Sequence, residues 1–335
     1  TEAVNHAPGV TFFMTGSQIP GRPSMGAWLS YGLGCETDNL PAFVVMTSSD
    51  KGKTCGQLFF DYYWGNGFLP SQHQGTRFRS EGEPVLYLDN PKGVPPELRK
   101  AMLSGVQSVN KAHLATKGDP EIASRISQYE TAFRMQSSVP DLLAIEKEPQ
   151  HVIDLYGKDV QRPGSFARNC LLARRLVERG TRVVQLMHSG WDQHGNLSTQ
   201  LAEQCRDTDQ PAAALVKDLE QRGLLDDTIV LWMSEFGRTV FGQGDINASS
   251  GYGRDHLGSV YSVWAAGGGF KKGLVYGKSD DFAYNVAENP VHVHDLQATL
   301  LNQFGIDHRQ LTYRYQGRDF RLTDVHGHVV KELLA

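Results

Sequence analysis

Apolar residues along the chain fall into short unbroken runs separated by longer amphipathic stretches. The runs AFVVMT (42–47), VLYL (85–88), TRVVQLMH (181–188), TIVLWMS (228–234) and VYSVWAAG (260–267) are four to eight residues long. That length and their uniform apolarity predict strands buried on both faces. Between them, GDPEIASRISQYETAFRM (118–135), FARNCLLARRLVERG (166–180), DQPAAALVKDLEQRG (209–223) and HDLQATLLNQFG (294–305) read as helices, as does the opening HAPGVTFFMTG (6–16). The segments ending at Gly180 and Gly223 each stop on a glycine and run at once into a strand. This order is expected of a parallel sheet flanked by helices. The predicted architecture is α/β: a doubly wound, mostly parallel sheet with helices on both faces.

Residues 50–115 break the pattern. DYYWGNGFLPSQHQGTRFRSEGEP mixes glycine, aromatics and polar residues with weak periodicity, and the whole stretch is expected to be a long irregular excursion over the sheet. Such an excursion is either a cover over a functional site or a packed surface loop. No internal repeat or low-complexity tract divides the chain, so residues 1–335 are read as one domain.

Composition narrows the function. A chain of 335 residues that is 40% hydrophobic can bury a large core. Its formal net charge of −4 leaves no basic field for a phosphate backbone or an anionic membrane surface, so nucleic acid is not an expected partner. No run approaches the ~18 apolar residues of a membrane span, and no membrane insertion is expected. Cys35, Cys55, Cys170 and Cys205 are too scattered for a zinc ribbon or a redox dithiol. The helix-like opening directly after Thr1 suggests that a segment carrying an export signal and a first strand precedes it.

In a doubly wound sheet, ligands bind beyond the carboxyl ends of the strands. TRVVQLMH runs into SGWDQHGN, TIVLWMS runs into EFGRT, and GYGRDHLG precedes the last strand. Asp192 and His194 offer an oxygen and a borderline nitrogen two residues apart, a pair suited to zinc or another divalent ion, or simply polar residues of an exposed turn. Glu235, directly after an apolar strand, needs water, a partner or a cation. Arg238 is either that partner or a fork for a tetrahedral oxyanion. His256, among glycines, is by itself an ordinary loop histidine. Convergence of the three loops on one rim would make it a ligand of a metal-assisted hydrolase. His188 reads as a supporting group, and His292 and His294 as the start of a helix with Asp295 in its first turn. A GGG at 267–269 without GK[ST], and the lack of GxSxG, argue against a nucleotide loop and a serine-hydrolase elbow.

Taken together, NHAPGVTFFMTGSQIPGRPS, YETAFRMQSSVPDLL, GWDQHGN, LLDDTIVLWMSEFGRT and GRDHLGSVYSVWAAGGGFKKGLVYG resemble the alkaline phosphatase and sulfatase superfamily. Within it, the chain is similar throughout its length to the bacterial group called domain of unknown function 1501. The resemblance implies an alkaline phosphatase-like fold in which Asp192, His194 and His256 hold the main divalent metal, zinc first and calcium or manganese as alternatives. Glu235, with His6, forms a second position or anchor, and Arg238 steadies the anionic group.

Pro8 and Thr15-Gly16 align with the segment that opens on the sulfatase nucleophile, which places His6 at the nucleophile position. His6 is then a metal ligand or itself a nucleophile. Phe236 stands where the superfamily's strand-end loop carries a histidine. The implied function is hydrolysis of a phosphate or sulfate ester, of a small molecule or a saccharide, by metal-activated water. The rivals are a binding protein that keeps the fold without turnover, and a phosphomutase or transferase variant. The resemblance also implies export to the periplasm. Nothing in the sequence specifies an oligomeric state.

Overall fold

A computed structural model describes residues 1–49, 59–79, 84–85, 88–245, 247 and 251–335. Cys55 and residues 86–87 of the run at 85–88 therefore fall outside the described residues. Its first helix, α1 (His6–Thr15), stops at Gly16 in the left-handed region, φ 69°. A side chain at Gly16 would also collide with the Leu322 carbonyl, 2.1 Å from the Cβ position. Glycine alone meets both demands. Helix α2 (Met25–Leu33) starts where the Ser24 hydroxyl accepts the Ala27 amide.

Strand β1 (Phe43–Ser49) is the centre of a three-stranded parallel sheet. It lies between β2 (Thr76–Phe78) and β3 (Val183–Ser189), with Phe43 opposite Val183 and Ser49 opposite Ser189. Its side chains alternate between two cores, as the two-residue period of a strand requires. Val44 and Met46 join a cluster with Leu171, Leu172 and Leu176 of the helix over Phe166–Glu178. Phe43 and Val45 join Phe12, Phe13 and Met14 of α1 on the opposite face. Both faces of this sheet are thus covered by helix. The continuous apolar run of β1 follows from that double burial.

The excursion expected between 50 and 115 holds more helix than its composition suggested. Helix α3 (Pro96–Lys117) occupies its end, opened by proline and closed by Gly118 at φ 67°. None of its residues is buried, although Leu98, Met102, Val106 and Val109 recur at helical spacing and stand exposed along it. Helix α4 (Pro120–Leu143) follows, capped by Asp119 and running through Pro140. After α5 (Gln150–Tyr156) come α6 (Phe166–Glu178), capped by the Ser165 hydroxyl, and α7 (Leu197–Gln221). Helix α7 begins twelve residues before the stretch expected from DQPAAAL. Pro211, which reads as a start signal, is instead buried inside the helix.

β4 (Val230–Trp232) pairs antiparallel with β7 (Trp264–Ala266), Trp232 lying opposite Trp264. Between them, β5 (Gly237–Arg238) and β6 (His256–Leu257) form a short antiparallel ribbon that sets Arg238 opposite His256. Helix α8 (Val293–Gln303) opens on a reciprocal cap: the His292 ring accepts the His294 amide, and Asp295 accepts the His292 amide at 3.2 Å. The expected helix start at VHVHD is observed. Among the described residues the chain is a mixed α/β protein of eight α-helices around a small parallel sheet.

Buried charge is concentrated away from the strand ends. Arg174 of α6 meets Glu148 at 2.7 Å, Glu178 at 2.6 Å and Asp218 of α7 at 2.8 Å. Arg175 joins Glu148, Arg222 joins Asp218 and Glu178, and the Tyr156 hydroxyl donates to Asp218 at 3.1 Å. Three guanidinium groups and three carboxylates neutralise one another across α6 and α7, which is how buried charge is tolerated.

Candidate metal centre

The loop after β3, the loop after β4 and the β5–β6 ribbon meet the first turn of α1 around one carboxylate. Asp192 is buried at 6% exposure, and its Oδ1 lies 2.7 Å from Arg238 Nη2, 2.8 Å from His194 Nε2, 3.1 Å from His256 Nε2 and 3.2 Å from His6 Nε2. Three imidazoles therefore present the same ring nitrogen to one oxygen. His194 Nε2 and His256 Nε2 are themselves 3.1 Å apart.

The other nitrogen of each ring faces an oxygen. His6 Nδ1 meets Glu235 Oε1, His194 Nδ1 meets the Gln243 side-chain oxygen at 2.6 Å, and His256 Nδ1 meets the Val4 carbonyl at 2.6 Å. A carboxylate or carbonyl can only accept, so Nδ1 of His6 and of His256 carries the proton. Asp192 also only accepts, so Nε2 of His6 carries a proton in the metal-free centre and becomes a lone pair only when a cation displaces it. Histidines that bind metals are held in this way, with the outer N–H on an acceptor and the inner nitrogen aimed at the ion. In His6, burial opposes the charged ring, but hydrogen bonds to Asp192 and Glu235 outweigh it and raise the pKa to about 9.

Packing brings these groups together. At Gly9, one turn into α1, an added Cβ would sit 3.1 Å from Glu235 Cγ and 3.2 Å from the Phe236 ring, so the bare glycine lets α1 settle on the loop after β4. Phe236 is 4% exposed, and its ring lies 5.0 Å from that of His6 and 4.5 Å from that of His256. It forms an apolar floor beneath the imidazoles. Arg238 is fixed by Asp192, by the Trp191 carbonyl at 3.1 Å and by the Arg254 carbonyl at 3.3 Å.

All six residues singled out in the sequence, His6, Asp192, His194, Glu235, Arg238 and His256, meet here. Ligand atoms of His6, Asp192 and His256 lie within 4.8 Å of one another, as do those of His194, Asp255 and His256. Glu235 stands one step out, against the far side of His6. His188 faces elsewhere, with Nδ1 2.9 Å from the Ser48 hydroxyl and Nε2 2.9 Å from Gln204. Sequence reasoning missed Asp255, although it adjoins His256, and Gln243, whose place between two glycines carries no local signal. Three imidazole nitrogens and a carboxylate oxygen form a donor set suited to zinc or a similar borderline cation.

Fold and site together define a mixed α/β protein with a histidine–carboxylate cluster beyond its strand ends. The family model described as "Protein of unknown function (DUF1501)" matches residues 1–334, and the chain belongs to that family. Comparison with curated proteins and with solved structures gave no match. No helix among the described residues is long and apolar enough to cross a membrane.

Proposed function

We propose that this chain is a metal-dependent hydrolase of a phosphate or sulfate ester, built on a doubly wound fold of the alkaline phosphatase and sulfatase type. The observation that carries the reading is the convergence of three imidazole Nε2 atoms on Asp192 Oδ1, two of the rings having their Nδ1 against an oxygen that can only accept. His6, Asp192, His194 and His256 would hold a divalent ion, zinc by donor type, with calcium or manganese disfavoured by the nitrogen-rich set. Such an ion supplies Lewis acidity and makes water acidic enough to attack an ester near neutral pH.

His6 acts as a ligand in this reading, because Glu235 holds its Nδ1 while its Nε2 points at Asp192 beside the other two imidazoles. Glu235 fixes the ring and raises its basicity. Arg238, a permanent positive charge touching Asp192, is assigned to the transferred anionic group, where charge builds in the transition state. The second reading, a binding protein without turnover, is favoured by Phe236, a buried apolar ring at a position where the superfamily carries a ligand.

Metal content of the purified protein and turnover on a panel of phosphate and sulfate esters test both readings. Stoichiometric metal with hydrolysis lost in His6→Ala and Asp192→Ala supports the hydrolase. Metal without turnover supports the binding protein. Absence of stoichiometric metal, or wild-type turnover in both variants, refutes the site.

A further inference from the structure

His6 and His256 are held by acceptors that leave no choice of tautomer, a carboxylate and a backbone carbonyl. His194 differs. Its ring is the most exposed of the three, at 38% of the side chain, and its outer nitrogen meets a side-chain amide, which can either accept or donate. By turning its amide, Gln243 can either accept a proton from Nδ1 or donate one to it. Only when it accepts is Nε2 left without a proton, free to meet a cation held beside Asp192.

We propose that Gln243 is the positioning residue of the centre. Its side-chain oxygen accepts the Nδ1–H of His194, locking the tautomer and rotamer that turn Nε2 toward Asp192. The inference rests on the metal-site reading above. Two features of the backbone give Gln243 a rigid base. Its amide donates to the Gly253 carbonyl at 2.8 Å, and the Gly253 amide donates back at 3.0 Å. The strip containing Gly253 lies flat on the loop that carries His194: the Arg254 amide reaches the Gln193 carbonyl at 2.9 Å, and the Leu197 amide reaches the Tyr252 carbonyl at 3.0 Å. A Cβ on Gly253 would fall 2.0 Å from the His194 carbonyl carbon and 2.2 Å from its oxygen. Glycine at 253 is what allows Gln243 to stand beside His194.

The test compares wild type, Gln243→Ala and Gln243→Glu, using zinc alone as the probe. Zinc affinity is read by competition with a chromophoric chelator, and melting of the metal-free proteins is measured alongside. Positioning through an acceptor predicts that Gln243→Ala weakens zinc binding by about 10- to 100-fold. Gln243→Glu, which can only accept, keeps wild-type affinity or tightens it. Both variants melt with wild type when metal-free, which a merely structural residue would not. A long-range proton–nitrogen NMR spectrum of the zinc-loaded protein shows His194 protonated on Nδ1. Unchanged zinc affinity in Gln243→Ala, loss of affinity in Gln243→Glu, or a ring protonated on Nε2 overturns the proposal and leaves the metal site standing. Failure of wild type to bind zinc overturns both.

Discussion

Replacing Asp192 with asparagine keeps the shape of the hub and removes its charge. Oδ1 of Asp192 lies 2.7 to 3.2 Å from one guanidinium nitrogen and three imidazole nitrogens, at 6% exposure, so solvent screens little of the loss. Removing one member of a buried charge set costs about 3–5 kcal/mol of folding stability. Zinc affinity falls as well, because a neutral amide is a poorer ligand and no longer orients the three rings: loss of an orienting partner alone costs about 10- to 100-fold, so Asp192→Asn should bind zinc about 100-fold more weakly or worse. Arg238 keeps two backbone carbonyls, those of Trp191 and Arg254, so the variant is expected to fold. Its circular dichroism should match wild type, while chelator competition reports the loss. A second readout needs no metal. Hydrogen bonding to Asp192 is among the causes that lift His6 to about 9, so the His6 titration followed by NMR should move down in Asp192→Asn. Zinc affinity within about threefold of wild type, or an unmoved His6 titration, would refute the assignment of Asp192 as the hub.

The remaining expectations concern pH and stability. In the metal-free protein His6 takes up its proton at about 9, above its ordinary value of 6.5. Its pairing therefore stabilises the fold fully below about 6.5 and ceases to do so as pH rises through about 9. A metal ligand must shed that proton, so zinc affinity should climb with pH by up to about tenfold per unit until about 9; a flat profile between neutrality and pH 9 would contradict this. Arg174→Met leaves Glu148, Glu178 and Asp218 short of a partner and should cost about 3–5 kcal/mol in denaturant unfolding without altering zinc affinity. Burial opposes ionisation of Glu148, but Arg174 and Arg175 hold its pKa below the ordinary carboxylate value. That pairing is fully present above the ordinary carboxylate value and is lost as pH falls below it through the lowered value, so denaturant stability should fall more steeply with acid in wild type than in Glu148→Gln, which is less stable near neutrality and converges with wild type in strong acid. Gly26→Ala would place a Cβ 2.4 Å from two Phe43 ring atoms; overpacking of about 1–3 kcal/mol outweighs the helix-propensity gain of about 1 kcal/mol, and the melting temperature should fall.

Much of the fold was legible because burial imprints itself locally. The runs at 42–47, 181–188, 228–234 and 260–267 contain β1, β3, β4 and β7 or their cores. Burial on both faces holds for β1, whereas β3 and β4 are half-buried and Trp264 of β7 is exposed. Position relative to those runs sufficed to pick out Asp192, His194, Glu235, Arg238 and His256, because chain leaving a buried strand emerges at a rim where polar groups are tolerated. Helix α3 was legible in principle, since Leu98, Met102, Val106 and Val109 recur at helical spacing although none of them is buried.

The sequence by itself determined which segments are buried and which residue types stand at their ends. It did not determine that β7 runs antiparallel to β4, that Glu235 backs His6, or that Gln243 faces His194. Those facts join residues 229 positions apart in one case and 49 in another. Local periodicity reports only whether a residue faces protein or water. Which nitrogen of a histidine meets which oxygen is settled when distant loops pack against one another, and here glycines at 9 and 253 allow the approach. The chemistry of the site is therefore a property of the tertiary structure, written on residues that the sequence had already placed at its rim.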